Sequence, residues 1–437
     1  MREVINVALL GMGTVGSGVY EVIENLQKGQ FVNKVGVNVC VRRVLVRTPA
    51  KYADRVAPHT ILTTSWEDVV NDPDIDIVVE VMGGIEPAKT YIIEALRAGK
   101  NVVSANKDLI AVHGQEIMEE AAGAGRDFMY EAAVLGAVPI ITPLKVCLAA
   151  NNISEIVGIM NGTTNYILTQ MGEKGWDFDH ALSEVQRLGY AEADPTSDIE
   201  GLDAGRKVAI LANIAFHTPV VFDDVHVEGI TRISSTDMQY ADAIGCCIKL
   251  LGIATRDENG VMCRVHPALL AKSHPLASVN GSFNAAFIRG DAVDEAMFYG
   301  RGAGKLPTAS AVVSDVMDVC RNIRAGSCAR VENATCESLP IQPLAEGVSR
   351  FYVRMHIPDQ AGVLAAVADC FGKADVSIAQ VMQHGSHGPH GAELVIITHD
   401  VQEAKFNDAV GRLMNVLPDY RIENVIRVYG ELPNEEK

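Results

Sequence analysis

The first 130 residues alternate between short apolar runs and stretches whose apolar positions recur with helical spacing. Five of the apolar runs have the length and composition of β-strands. They lie at residues 5–10, 35–46, 75–82, 101–105 and 127–130. Strands that alternate with helices along a chain are typical of a parallel sheet covered by helices. The pattern therefore predicts an α/β domain over residues 1–131.

The pattern changes twice after this region. Residues 132–325 mix strands with long helical stretches, which is typical of an α+β domain, and the last helix of this region is expected to return towards the first domain. Scattered Gly, Ser and Pro over residues 326–349 predict a linker. Residues 350–430 follow the order strand, helix, strand, strand, helix, strand, with a Gly- and His-rich hairpin loop at 384–391. This is the order of a ferredoxin-like unit, so three domains are predicted.

Composition narrows the range of partners. The chain has 437 residues and a formal net charge of −18, with no block of five or more Lys or Arg. Such a surface repels nucleic-acid phosphates and anionic lipids, so neither nucleic acid nor a membrane is an expected partner. Nine scattered cysteines without a CxxC spacing indicate reduced thiols, and the chain shows neither a signal segment nor an 18-residue apolar run. We therefore expect a cytoplasmic protein.

The turn after the first predicted strand carries six residues that match GxGxxG, and a helical pattern follows them from 15 to 26. Between a strand and a helix, these glycines allow a tight turn, the close approach of a pyrophosphate, and close packing of the helix on the strand. The helix N-terminus adds positive partial charge, which favours phosphates. The motif predicts a Rossmann-like dinucleotide-binding domain. Its predicted cofactor contacts are Gly11, Gly13, Thr14, Val15 and Gly16.

The residues after the second strand bear on the choice between NAD and NADP. NAD sites of this type usually place an Asp or Glu there, where it accepts a hydrogen bond from the ribose 2′-hydroxyl. Here no carboxylate lies between Glu24 and Asp54, whereas Arg47 and Lys51 follow the strand. Two cations suit the 2′-phosphate, so NADP is predicted as the preferred cofactor and NAD as a possible one. The alternative is that both cations only solvate a loop.

Two lysines and a run of carboxylates are the candidate catalytic groups. Lys107 follows the predicted strand at 101–105, on the edge where ligands of open α/β sheets bind, although a solvated loop lysine would fit the same pattern. Residues 189–207 carry five acidic side chains before their first cation. They then enter a helix that is apolar on nearly every side and is therefore expected to be buried.

Asp203 and Lys207 stand four residues apart on that helix and so share one face. Charged side chains are seldom buried without partners, which makes this pair a candidate active site. The alternative is a buried ion pair with a purely architectural role. A carboxylate cluster can hold a substrate ammonium group, while a lysine can exchange the proton of an alcohol whose carbon exchanges hydride with nicotinamide. The combination favours a dehydrogenase.

With these motifs the chain resembles homoserine dehydrogenase of the long bacterial type, which has a C-terminal ACT domain. The resemblance extends over essentially the whole chain. It is carried by residues 11–16, 104–107, 161–168, 189–207, 299–304, 307–312 and 357–364. It implies the interconversion of L-homoserine and L-aspartate 4-semialdehyde with NAD(P), in threonine, methionine and isoleucine biosynthesis. It also implies a homodimer or a homotetramer.

The resemblance implies roles for individual residues. Lys207 would be the catalytic proton donor and acceptor, with Asp203 orienting it or the substrate, and Lys107 would contact the substrate hydroxyl near the nicotinamide. Glu192 would bind the substrate's ammonium group, with Asp198 supporting the same pocket. The remaining expected cofactor contacts are Met82, Gly83, Ser104, Lys107 and Gly304.

Two further sites depend on the resemblance alone. Glu131 and the backbone carbonyls of Val134, Gly136 and Val138 match the family's site for a monovalent cation, sodium or potassium. Asp359 and Gly362 lie at the start of the first ACT helix, where the resemblance implies binding of an amino-acid effector. The implied effector is L-threonine, acting as a feedback inhibitor.

Two alternatives stay open at this point. One is another NAD(P)-dependent dehydrogenase of an amino-acid pathway, which the convergence of Glu192, Asp198, Asp203 and Lys207 beside the nicotinamide would argue against. The other is a non-catalytic sensor that binds dinucleotide and amino acid. The absence of Lys107 and Lys207 would favour the sensor, but both lysines are present.

Overall fold

Two units, whose segments interleave along the sequence, make up the fold. The first contains Met1–Ile156, Arg206–Asp224 and Asn284–Leu339, and the second contains Val157–Gly205, Val225–Phe283 and Pro340–Lys437. The structure is a computed structural model that describes residues 3–331, 337–385, 391–416 and 420–433.

The described residues form the following strands and helices. The strands are β1 (Val4–Leu10), β2 (Asn38–Leu45), β3 (Ile61–Thr63), β4 (Ile77–Glu80), β5 (Asn101–Ser104), β6 (Phe128–Met129), β7 (Ile153–Ile159), β8 (Val225–Val227), β9 (Cys246–Asp257), β10 (Gly260–Ala271), β11 (Phe283–Gly290), β12 (Asp294–Arg301), β13 (Val348–Ile357), β14 (Ile378–Gly385), β15 (Ala392–Thr398), β16 (Val401–Gln402) and β17 (Arg421–Tyr429). The helices are α1 (Thr14–Glu21), α2 (Phe31–Val35), α3 (Glu67–Val70), α4 (Ala88–Arg97), α5 (Lys107–Ala124), α6 (Gly162–Lys174), α7 (Phe178–Arg187), α8 (Thr196–Ile199), α9 (Leu202–Phe216), α10 (Ser235–Ala243), α11 (Lys305–Ala325), α12 (Val363–Lys373) and α13 (Glu403–Val416).

The first unit is built on a parallel sheet with the strand order β3-β2-β1-β4-β5-β6. Every residue of β4 and β5 is buried, because helices cover such a sheet and leave its central strands no exposed face. That burial explains why these strands are continuous apolar runs in the sequence. The predicted α/β, Rossmann-like fold is confirmed.

Two details of this sheet differ from the sequence prediction. β3 is not predicted, since three residues are too short to show a period. The predicted strand at 35–46 is too long. Val35 ends α2, Gly36 caps this helix with φ +73°, and β2 runs only from Asn38 to Leu45. Arg47 therefore lies in the loop beyond β2.

Helix α11 packs on α1 within the first unit, although almost 300 residues separate them. A Cβ atom on Gly18 of α1 would lie 2.5 Å from the carbonyl oxygen of Lys305 and 3.0 Å from Cβ of Ala309. Val312 and Val316 join the same core as Val19, and all three are fully buried. The missing side chain at Gly18 is thus what allows the two helix backbones to approach.

The second unit contains the predicted ferredoxin-like fold. β13, α12, β14, β15, α13 and β17 follow one another in the order strand, helix, strand, strand, helix, strand, with the two-residue β16 added before α13. Both helices contribute to the core under this sheet, where Phe351 stacks on Phe406 at 3.8 Å between ring centroids. Residues 386–390 of the predicted hairpin loop lie outside the described residues.

Main-chain pairing joins the ferredoxin-like sheet to the other strands of the second unit. β17 runs parallel to β10, with Ala268 opposite Arg427 and Leu270 opposite Tyr429, and β10 pairs with β9 along its whole length. The buried guanidinium of Arg354 on β13 donates to Asp237 of α10 at 2.7 Å. Part of the predicted linker is also paired, since the amide of Val261 donates to the carbonyl of Pro340.

In the part of the chain that the structure describes, no helix has both the length and the apolar character needed to cross a membrane.

Replacing Gly18 with valine tests the contact between α1 and α11. The added side chain would overlap the backbone of Lys305, so the free energy of unfolding should fall by about 2 kcal/mol, a typical cost of overpacking. Chemical denaturation of the two proteins measures this difference.

Gly123→Ala serves as the matched control, because Gly123 also lies inside a helix but has no atom within 4 Å of the added Cβ. Alanine there should leave stability unchanged or raise it by roughly 0.5–1 kcal/mol. Equal stability of the Gly18→Val variant and the parent chain would contradict the close helix contact.

Candidate active site

The register of the parallel sheet places four strand ends in one row. Leu10 lies opposite Leu45 on one side and Glu80 on the other, and Glu80 lies opposite Ser104. The segments that follow these strands therefore leave the sheet at one edge. This is the carboxyl edge of the sheet, where open α/β folds bind their ligands.

The glycine turn after β1 has the geometry that a dinucleotide needs. Gly11 has φ +96°, which favours glycine, and a Cβ atom on Gly16 would lie 2.2 Å from the carbonyl oxygen of Gly11. Gly13 has no atom within 4 Å of its Cβ position, so space is open beside its backbone. Thr14 and Val15 form the first turn of α1, and no side chain caps this helix. Its amide groups are thus available to a phosphate.

Arg47 and Lys51 lie in the loop beyond β2, and both are exposed. The amide of Gly11 donates to the carbonyl oxygen of Leu45 at 3.0 Å, so this loop begins next to the glycine turn. Glu24, the last carboxylate before the loop, is turned elsewhere: it accepts from the amide of Val41 at 2.7 Å. The loop that begins beside the glycine turn thus carries two exposed cations.

Met82, Gly83 and Ser104 are held by a carboxylate that sequence reasoning missed. Glu80 is fully buried, with 0% of its surface exposed. Its Oε1 accepts from the amides of Met82 at 2.8 Å and Gly83 at 3.3 Å, and its Oε2 accepts from the hydroxyl of Ser104 at 2.7 Å. A polar residue at the end of an apolar strand was the only available signal.

Lys107 is the first residue of α5, directly after the helix cap Asn106, whose side chain accepts from the amide of Leu109. Its neighbour Asp108 forms an ion pair with Arg206 of α9, with 3.0 Å between Oδ1 and Nε. Because Arg206 precedes Lys207, the ion pair joins the helix that carries Lys207 to the helix that begins at Lys107. The structure therefore brings the two predicted lysines to the same end of the first unit.

In the second unit, one amide connects two of the predicted carboxylates. The Nδ2 atom of Asn161 donates to Asp198 at 2.7 Å and to Asp203 at 2.8 Å. The Oδ1 atom of the same side chain accepts from the amide of Thr164 and so caps α6. Sequence reasoning assigned residues 161–168 only to the family resemblance and missed this bridging role. The signal available was an Asn directly after a strand and before a helix.

Asp203 and Lys207 are both buried in α9, with 2% and 7% of their surfaces exposed. The predicted burial of this helix is therefore observed. Glu192 is different: its side chain is exposed, and Gln186 donates to its main-chain carbonyl at 3.2 Å.

The carboxylate of Glu131 is already used by backbone amides. It accepts from Ile140 at 2.6 Å, from Ile141 at 2.8 Å and from Thr142 at 2.7 Å. The loop that follows Glu131 is tightly curled, with φ +56° at Gly136. Glu131 thus holds the backbone of residues 140–142 in place. No group of three or more His, Cys, Asp or Glu side chains suited to a metal ion occurs in the described ranges.

Gly304 lies directly before α11, and the predicted effector-binding residues Asp359 and Gly362 lie before α12. Gly304 has φ +123° and caps α11, whose Lys305 forms an ion pair with Glu21 of α1 at 2.6 Å. Gly304 thus lies beside the helix that follows the glycine turn. Gly362 has φ +93° and precedes α12 without a side-chain cap, and Asp359 is exposed nearby.

Three family models match successive parts of the chain. Residues 11–131 match the NAD binding domain of homoserine dehydrogenase, residues 139–317 match homoserine dehydrogenase, and residues 351–417 match the ACT domain. The homoserine dehydrogenase of Bacillus subtilis (strain 168) is 41% identical over 429 residues, covering 98% of this chain and 99% of the relative. That of Mycobacterium tuberculosis (strain ATCC 25618 / H37Rv) is 45% identical over 435 residues, covering 98% of both.

Solved structures agree with these relatives. A homoserine dehydrogenase from Thiobacillus denitrificans superposes with a TM-score of 0.91 at 40% identity and covers 98% of each chain. The enzyme from S. aureus gives a TM-score of 0.77 at 33% identity, covering 99% of this chain and 100% of that one. A hyperthermophilic archaeal homoserine dehydrogenase in complex with NADPH gives 0.62 at 27% identity, covering 72% of this chain and 97% of that one. The chain therefore belongs to the homoserine dehydrogenases, NAD(P)-dependent oxidoreductases that here combine an NAD-binding domain, a catalytic domain and a C-terminal ACT domain.

Proposed function

We propose that this chain interconverts L-homoserine and L-aspartate 4-semialdehyde with Lys207 as the residue that exchanges the proton. In the oxidising direction the bound nicotinamide would accept the hydride of the hydroxymethyl carbon, and Lys207 takes the proton of the hydroxyl. Lys107 contacts the same oxygen and Asp203 orients Lys207 or the substrate. The observation that carries the proposal is the Arg206–Asp108 ion pair, which joins the two lysine-bearing helices at the carboxyl edge of the sheet.

The substrate ammonium group calls for carboxylates near the reacting oxygen. Asp198 and Asp203 are supported as this group because Asn161 holds both, and because Asp203 lies one helical turn before Lys207. Glu192 completes the site in this proposal once substrate is bound. The physiological direction is reduction of the semialdehyde, in the biosynthesis of threonine, methionine and isoleucine, and the location is the cytoplasm.

Replacing Lys207 with methionine tests the catalytic role. The variant keeps the length of the side chain but cannot carry the proton, so kcat with L-homoserine should fall roughly 10²–10⁴-fold. The dissociation constant for NADP should stay close to that of the parent chain. Absorbance of the reduced nicotinamide gives the rate, and calorimetric titration with NADP gives the affinity.

The control is Lys100→Met, which removes a different buried lysine of the first unit. Lys100 precedes β5 and donates to the carbonyl oxygens of Asp72 at 2.6 Å and Ile75 at 3.2 Å, away from the carboxyl edge. It should lower stability while kcat is kept. Normal turnover by the Lys207 variant would remove that lysine from the chemistry, and no turnover by the parent chain would refute the substrate.

NADP is proposed as the preferred cofactor, with NAD as a possible one. Arg47 and Lys51 support this preference, because both are exposed in the loop after β2. That loop has no carboxylate up to Asp54 that could accept a hydrogen bond from the ribose 2′-hydroxyl of NAD. The structure of the hyperthermophilic archaeal homoserine dehydrogenase was solved in complex with NADPH, which agrees with this proposal.

Arg47→Ala tests the preference. Loss of a charge-assisted contact to the 2′-phosphate should raise KM for NADP by about tenfold and leave KM for NAD unchanged. Arg55→Ala, which removes another exposed arginine a few residues further on, should change neither constant. Equal effects of Arg47→Ala on both cofactors would contradict the assignment.

A monovalent cation, sodium or potassium, is proposed at the loop after Glu131. Carbonyl oxygens are suitable ligands for a hard cation, and the candidates are those of Val134, Gly136 and Val138. Glu131 supplies negative charge close by, while its carboxylate continues to hold the amides of residues 140–142. In this proposal the ion stabilises the loop and takes no part in the proton or hydride transfer.

Feedback inhibition by L-threonine through the ACT domain is proposed in an assembly of two or four chains. The exposed Asp359 and the uncapped start of α12 after Gly362 suit the ammonium and the carboxylate of an amino acid, respectively. Asp359→Ala should raise the inhibition constant for L-threonine at least roughly tenfold without changing kcat.

Asp400→Ala is the control, because Asp400 is an exposed aspartate of the same sheet region and its ion pair with Arg350 is a surface contact. It should leave inhibition unchanged. An Asp359 variant that threonine still inhibits to the same degree would place the effector elsewhere.

A further inference from the structure

Glu80 is a buried carboxylate for which the proposed chemistry has no use. A buried polar group is costly unless it is hydrogen-bonded, and a buried charge more so. Burial raises the pKa of Glu80, while hydrogen bonds from Ser104, Met82 and Gly83 act in the opposite direction. All three of these partners donate, so the side chain acts as an acceptor on both of its oxygens.

One oxygen of Glu80 fixes the turn that follows β4. The amides of Met82 and Gly83 both point at Oε1, so the backbone of this turn has little freedom to rotate. Gly83 is exposed and has φ +76°, with no atom within 4 Å of its Cβ position. The turn would therefore be held only from its buried side, which leaves the other side open to a ligand.

The other oxygen fixes the start of α5. Ser104 donates to Oε2, and its own hydroxyl oxygen accepts from the amide of Asn106 at 3.1 Å. Asn106 caps α5 and donates from Nδ2 to the carbonyl oxygen of Gly84 at 2.6 Å. The contacts form a closed path from Glu80 through Ser104 and Asn106 back to the turn after β4. Lys107 is the next residue after that path.

We infer that Glu80 is a positioning residue that fixes the turn at Met82 and Gly83 relative to Lys107, and so sets the nicotinamide end of the cofactor site against the substrate oxygen. The inference depends on the proposed function, because it takes Lys107 as the contact to that oxygen. Glu80 suits this role because one of its oxygens binds the turn at Met82 and Gly83, while the other binds Ser104 before α5. Misplacement of such groups by even 1 Å lowers rates strongly.

Glu80→Gln is the informative substitution because it keeps the shape of the side chain. An amide has one accepting oxygen and one donating nitrogen. If the oxygen faces Met82 and Gly83, the nitrogen donates to the hydroxyl oxygen of Ser104, so that hydrogen bond is kept with its direction reversed. If the amide turns over, the nitrogen faces two backbone amides that can only donate. In either orientation the hydrogen bonds from Met82, Gly83 and Ser104 lose the negative charge that strengthens them, so both segments are held less firmly. We expect kcat to fall and the dissociation constant for NADP to rise, each by about tenfold.

A double-mutant cycle with Ser104→Ala separates positioning from general loss of stability. Ser104→Ala removes the hydroxyl that connects Glu80 to Asn106 at the start of α5. If Glu80 acts through Ser104, the fall in kcat of the double variant should be clearly smaller than the product of the two single effects, because both substitutions act on the same link. Effects on kcat that multiply would show that the two residues act independently and would overturn the inference.

Asp72→Asn is the control for the general effect of neutralising a buried carboxylate. Asp72 is also buried, accepts from Arg43 at 2.7 Å, and lies in the loop before β4, at the amino end of the strand that Glu80 ends. It should lower the melting temperature without changing kcat or the NADP dissociation constant. A Glu80→Gln variant that behaves in the same way would also overturn the inference.

The measurements distinguish this inference from the proposed function. A parent chain that binds NADP but does not turn over L-homoserine would refute the proposed function, and the effect of Glu80→Gln on NADP affinity would still test the turn at Met82 and Gly83. A parent chain that turns over normally while the Glu80→Gln variant matches it would refute only the inference.

Discussion

Main-chain hydrogen bonds keep β2, β1, β4 and β5 in one parallel register, and the chemistry of the first unit depends on that register. Residues that end these strands form a row, so the segments that follow them emerge side by side. A shift of one residue in any strand would turn its side chains to the opposite face. Glu80 would then no longer lie between the turn after β4 and Ser104. The continuous apolar character of β4 and β5 suits their burial on both faces.

The parts that could be predicted from the sequence are those where local spacing carries the information. GxGxxG after a strand is such a case, because the turn, the open space at Gly13 and the close contact at Gly16 all follow from neighbours in the chain. The burial of α9 is another, since its apolar residues lie on nearly every side. The order of elements after residue 350 similarly sufficed to predict the ferredoxin-like fold.

The parts that could not be predicted depend on partners distant in the chain. Glu80 acquires its role from Ser104, 24 residues later, and nothing local distinguishes it from any carboxylate at the end of a strand. Asn161 meets Asp198 and Asp203 only because the second unit folds those segments together. The carboxylate of Glu131 accepts from the amides of residues 140–142, and residue type alone does not indicate these contacts.

The contact between α1 and α11 also has a consequence for how the protein is made. Gly18 emerges from the ribosome early, but its packing partner Lys305 is nearly 290 residues behind it. Synthesis proceeds at about 5–20 residues per second, so the sheet of the first unit waits roughly 15–60 seconds for the helix that covers α1. During this interval an apolar face that includes Val19 is without its final cover. Apolar surface exposed during synthesis is prone to aggregation, so the long separation of α1 and α11 along the chain affects folding during translation as well as the finished structure.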